Sequence, residues 1–179
     1  MITDPLAAGE SRFVRSVLNY PTRVGVYEYW RREDDRRTIE SLYLRDPKSG
    51  LYERLPAPDA QTAYRSAVCA RDTPHVFFNV MRISDDGGGN WVHVARADLR
   101  TRGIDVLLTR DDLLLETACA PEWPLYPWIS ELLSASDDGL KLICKAGIPL
   151  PRCDGGCGMK YWFVELDVDT RAVKWLARS

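Results

Sequence analysis

Cys153-Asp154-Gly155-Gly156-Cys157 gathers two thiols and a carboxylate within five residues. Those donor types suit a zinc ion, and the glycines would let the loop wrap the metal. A zinc site needs four ligands, however, and no second Cys or His pair stands at a fitting spacing. The competing reading is a Gly-rich loop with two free or reversibly paired thiols. Asp34, Asp35, Asp85, Asp86 and Asp154 form a second candidate set. Brought together, they could bind a divalent cation through oxygen or serve as the acid and base of glycoside chemistry. Kept apart beside Arg31, Arg32, Arg36 and Arg37, they are solvated turn residues. Six tryptophans are many for 179 residues. Trp91 and Trp123, with Asn90 and Arg152, complete a candidate ligand-binding set in which aromatic faces stack on sugar rings. Against it stands the ordinary use of Trp as core filler burying a large apolar area.

Other chemistries are poorly served. The two histidines, His75 and His93, fall in strand-like segments. There is no G-x-S-x-G elbow, Walker loop, dinucleotide fingerprint or H-E-x-x-H. Beyond the zinc or divalent-cation alternative, no cofactor is expected. A net charge of -2 gives no basic footprint for nucleic acid, and no apolar run approaches a bilayer span. The N-terminal residues lack the pattern of a signal peptide, and five cysteines, an odd number, fit reduced thiols. These features predict a cytoplasmic protein that binds neither nucleic acid nor membrane.

The elements that must position these residues repeat along the chain. Val92–Leu107 lies over Tyr161–Leu176 without a gap, and Ile39–Leu55 follows the same plan: an alternating strand, a turn opened by Asp98, Asp167 or Asp46, then a short strand. Upstream, Asn19–Tyr29, Arg71–Met81 and Ser136–Ala146 are each a polar turn feeding an apolar strand. The spacing predicts an N-terminal arm over 1–12 and three four-stranded antiparallel units over about 13–55, 64–109 and 128–178. Phe13–Leu18 also keeps helical spacing. A long linker, 110–127, holds a possible short helix at Asp111–Ala118.

The run SASDDGLKL at Ser134–Leu142 and ELDVDTR at Glu165–Arg171 resemble blades of the TolB type, shared by the propellers of dipeptidyl-peptidase-like enzymes and oligogalacturonate lyase. That resemblance implies an all-β protein of three blades, half of a β-propeller; it transfers no metal-binding histidines. Three blades would leave two apolar flanks bare, so a second copy is expected to complete the ring, a different partner protein being the alternative. In such meanders the second-to-third loops (Arg31–Arg37, Ser84–Asn90, Ile148–Met159) share one end with the linkers, and function is expected there. The expected role is therefore a binding or assembly module facing a protein, carbohydrate or small ligand. The alternatives are a lyase or glycosidase using the loop carboxylates, and a zinc-holding interaction domain.

Overall fold

Apolar residues recur at every second position in segments such as Trp162, Val164 and Leu166, which gives the strand one face to bury, and tight turns join successive strands into antiparallel pairs. A computed structural model of the chain describes residues 12–18, 25–34, 37–45, 51–83, 89–116, 127–151 and 157–178. The first sheet contains β1 (Arg12–Leu18), β2 (Gly25–Asp34), β3 (Arg37–Arg45) and β4 (Tyr52–Arg54). The second contains β5 (Thr62–Cys69), β6 (His75–Ile83), β7 (Gly89–Asp98) and β8 (Ile104–Thr109), and the third β9 (Trp128–Ala135), β10 (Lys141–Pro151), β11 (Cys157–Asp167) and β12 (Val173–Arg178). Each sheet keeps its strands in chain order with antiparallel pairing, and none closes into a barrel. The segment at Phe13–Leu18 is strand rather than helix. The expected N-terminal arm, apart from Arg12, and the turn opened by Asp46 lie outside the described residues.

The sequence repeat has a structural counterpart in two matching turns. Asp98 accepts hydrogen bonds from the N–H groups of Arg100 (2.7 Å) and Thr101 (3.2 Å). Asp167 accepts from the N–H and Oγ1 of Thr170 at 2.8 and 2.7 Å. Four residues after each Asp, Arg102 and Arg171 reverse the chain in the left-handed region, with φ of 63° and 59°. Next to each turn, the N–H of Leu99 or Val168 donates to a carbonyl of the preceding hairpin, that of Pro74 (2.7 Å) or Leu140 (2.8 Å).

Two hairpins run further than the sequence pattern suggests. Segments 31–37 and 148–159 are not wholly loop: β2 and β3 stay paired out to Asp34 with Arg37, and β10 and β11 out to Pro151 with Cys157. Pro149 and Pro151 are tolerated because β9 pairs with β10 no further than Gly147, so the prolines lie where the ladder is one-sided.

The second sheet is buried on both faces. Toward the first sheet it turns Val76, Phe78, Val80, Ala95 and Ala97, which cluster with Leu42 and Leu55. Toward the third it turns Phe77, Trp91, Val94 and Leu108, against Ile129, Leu132, Cys144 and Val164. Helix α1 (Arg110–Glu116) follows β8, where a short helix is expected, and buries Leu113 in this second cluster. Its start is fixed by Asp112, whose carboxylate accepts from the N–H (2.6 Å) and Oγ1 (2.8 Å) of Thr109, the reciprocal half of a capping box.

The inner strands β5 and β9 lie side by side, each at the edge of its own sheet. Side chains satisfy the edge of β9. Ser66, at φ 57° in a bulge of β5, receives the Leu132 N–H at 2.8 Å and donates to the Leu132 carbonyl at 3.3 Å. Buried Asn79 donates to the Ile129 carbonyl (3.2 Å) and accepts from the Trp91 indole (3.3 Å). These bonds occupy backbone groups that would otherwise offer an open edge.

Candidate functional site

Register divides each sheet into two ends. At one end lie the turns between first and second strands and between third and fourth, and these knit neighbouring sheets together. The Asp72 N–H donates to the Asp137 carbonyl at 2.8 Å, and Arg71 pairs with Asp137 at 3.4 Å. Gly139, with φ +73°, fits so closely that a Cβ would stand 2.9 Å from Thr73 Oγ1 and 3.2 Å from Ala70 Cβ. Arg102, in the β7–β8 turn, pairs with Glu53 in β4.

The opposite end carries the connections β2–β3, β6–β7 and β10–β11, together with the linker into β5. Asp34 is the last residue of β2, opposite Arg37, and is therefore on a strand end rather than within a free loop. Asn90 is exposed opposite Arg82. Trp91, by contrast, is only 4% exposed, and its ring lies in the core between the second and third sheets. A bulge at Val92 accompanies this placement. Cys157 opens β11, opposite Pro151. Asp35, Asp85, Asp86, Trp123, Arg152, Cys153 and Asp154 lie outside the described residues. The structure thus brings Asp34, Asn90 and Cys157 to corresponding ends of their sheets.

Sequence reasoning missed a network at this end. Arg82 donates to Asp59 Oδ2 (2.7 Å) and Gln61 Oε1 (2.8 Å), tying β6 to the linker. Asp59 Oδ1 also accepts from the Gln61 N–H and the Thr62 hydroxyl, each at 2.9 Å. The Thr62 hydroxyl bond, the Gln61 N–H and the Arg82 charge hold the Asp59 carboxyl below the usual carboxylate range, against some desolvation. An Asp followed two and three residues later by such donors is a legible turn signal. Its partner on β6 is not legible, since it comes from tertiary placement. Trp128 is a second such feature: its indole crosses Gly147 so closely that a Cβ there would meet it at 2.9 Å, with Met159 at 3.2 Å.

Both histidines are on strands, as the sequence predicts. Burial lowers the basicity of His93. Burial and then the Arg96 charge lower that of His75, partly opposed by Asp98. The thiols of Cys69 and Cys144 are free, and burial pushes each up to about 12, which leaves them protonated and unreactive near neutrality. Among the described residues no group of three or more His, Cys, Asp or Glu is placed to hold a metal ion. No helix among them is long and apolar enough to cross a membrane.

A scan against protein-family models finds no match, and neither does a search of curated proteins. Among solved structures, the chain is similar to an acylaminoacyl peptidase of Pyrococcus horikoshii, with 11% identity, a TM-score of 0.58 and 98% of this chain covered. It is also similar to an oligogalacturonate lyase of Vibrio parahaemolyticus, with 13% identity, a TM-score of 0.49 and 95% covered. The peptidase is a propeller-containing protein, so the fold-level resemblance read from the turns holds. This chain spans 26% of the peptidase and 49% of the lyase.

Proposed function

We propose that the chain is a three-bladed half of a β-propeller that closes its ring with a second copy and acts as a binding module through the long-connection end of its sheets. The observation that carries this reading is the division of labour between the two ends. Short turns lock neighbouring sheets at one end, while Asp34, Asn90 and Cys157 mark connections that leave the other. A scaffold fixed at one end can vary the other without loss of fold.

The test replaces Asp34, Asp35, Asp85, Asp86 and Asp154 together by Asn. The variant is expected to keep the wild-type melting temperature and molecular mass, because these groups serve recognition rather than closure. Polygalacturonate incubated with the wild-type protein is expected to stay intact, read by the absorbance of unsaturated uronides. Cleavage by the wild type that disappears in the variant would replace the binding module with a carbohydrate-cleaving enzyme. Zinc analysis of the purified protein is expected to find less than one ion per chain; stoichiometric zinc lost on Cys153→Ser would make the loop a metal site instead.

A further inference from the structure

The packed interface between the second and third sheets has a counterpart in the same register on the far face of the third sheet. In the second sheet, Asn79 pairs with Val94, and Val94 with Leu108. That row is buried against the third sheet, at 1%, 0% and 1% exposure. The equivalent row of the third sheet is Lys145, Phe163 and Ala177. In the next rows Ile143 takes the place of Phe77, and Tyr161 that of Trp91. The far face thus offers aliphatic and aromatic side chains where the second sheet has its core. In the single chain Ile143, Phe163 and Tyr161 are left partly exposed.

From this equivalence, and resting on the half-ring reading above, we infer that the far face of the third sheet is an interface that receives the first sheet of a second copy. The occupant follows from the internal order of packing. Each sheet turns one face to its predecessor, and the second sheet does so with Phe78 and Val80. In the first sheet those register positions belong to Tyr27 and Tyr29. No earlier sheet of the same chain precedes β1 among the described residues. A two-fold axis then makes the contact twice, third sheet on first in each direction, and leaves no flank open. Lys145 occupies the position from which Asn79 reaches the Ile129 carbonyl of the neighbouring inner strand. In the single chain its ammonium lies 4.5 Å over the Tyr161 ring. In the assembly it is placed to donate to a carbonyl of the incoming inner strand.

The experiment puts a photo-crosslinking amino acid in place of Phe163, in mixed dimers of isotopically light and heavy chains, beside sedimentation of the wild type, Phe163→Arg and Lys145→Ala. Light-to-heavy crosslinks are expected to land between residues 25 and 45. Phe163→Arg should be monomeric with an unchanged circular dichroism spectrum. Lys145→Ala should raise the dimer dissociation constant roughly tenfold. A wild type that sediments as a monomer overturns the half-ring reading itself. A dimer that survives Phe163→Arg, or that crosslinks third sheet to third sheet, overturns this interface and leaves a two-copy assembly standing.

Discussion

The second and third sheets are built on the same plan, yet one is buried on both faces and the other on one. In the second sheet the consecutive positions Val76, Phe77 and Phe78 are all at 0% exposure. In the third, Leu142 and Cys144 are buried at 0% and 1%, while Ile143 between them is partly exposed and Lys141 is exposed. A strand that feeds two cores reads as a continuous apolar run, and a strand that feeds one alternates. His-Val-Phe-Phe-Asn-Val at 75–80 against Lys-Leu-Ile-Cys-Lys-Ala at 141–146 carries that difference. The third sheet is intermediate between the two types, since its second face mixes Ile143 and Phe163 with Lys145 and Glu165. Such a mixture suits a surface that a separate molecule covers.

The sharpest way to break this comparison is to truncate matching residues. Phe77→Ala is expected to destabilise the fold by about 3–5 kcal/mol, because it opens a cavity between two sheets. Phe163→Ala should cost less, about 1–2 kcal/mol, and should weaken the rise of melting temperature with protein concentration that the wild type and Phe77→Ala share. Equal losses that leave the concentration dependence unchanged would mean the two faces are equivalent within one chain. Asn79→Ala comes next, at about 1–3 kcal/mol by urea denaturation, since it strands the Trp91 indole and the Ile129 carbonyl. Gly139→Ala should follow at about 1–2 kcal/mol, the cost of a side chain at positive φ, before any push on Thr73.

Acidity gives a gentler contrast, between strand histidines and turn carboxylates. His75 and His93 of the second sheet are held below the ordinary imidazole value of 6.5. Below that value the unfolded chain binds more protons than the native one, so stability falls as pH drops from about 6.5 toward the native values. In the third sheet, hydrogen bonds from the Ser136 hydroxyl to Asp138, and from the Thr170 N–H to Asp167, hold both carboxyls below 3.8. Their contribution is complete above that value and is lost as pH falls through the native ones. Melting temperature against pH should therefore decline in two stages. His93→Gln should flatten the upper stage, and Asp167→Asn the lower.

Much of the architecture is legible in the sequence because its determinants are local. The alternation of Trp162, Val164 and Leu166 marks a strand. Asp98 and Asp167, each followed three residues later by Thr, mark turns whose bonds involve only neighbours. What escapes is set by other parts of the fold. Pro149 and Pro151 signal a loop, but the short reach of β9 lets the hairpin continue through them. Trp91 stands near the start of its strand, as expected of a ligand platform, but is buried against the next sheet. Ser66 and Asn79 resemble any strand polar residues until the open edge of β9 is placed beside them. Of the candidate site, Asp34, Asn90 and Cys157 reach corresponding ends because strand register follows from hairpin order. The linker network of Asp59, Gln61 and Arg82 needed tertiary structure to be seen.

The mass of the protein in solution bears most directly on whether three sheets are half of a closed ring. Sedimentation equilibrium at micromolar concentration is expected to give about 41 kDa, two chains of 20.4 kDa each. A stable species at 20.4 kDa with no tendency to associate would contradict it.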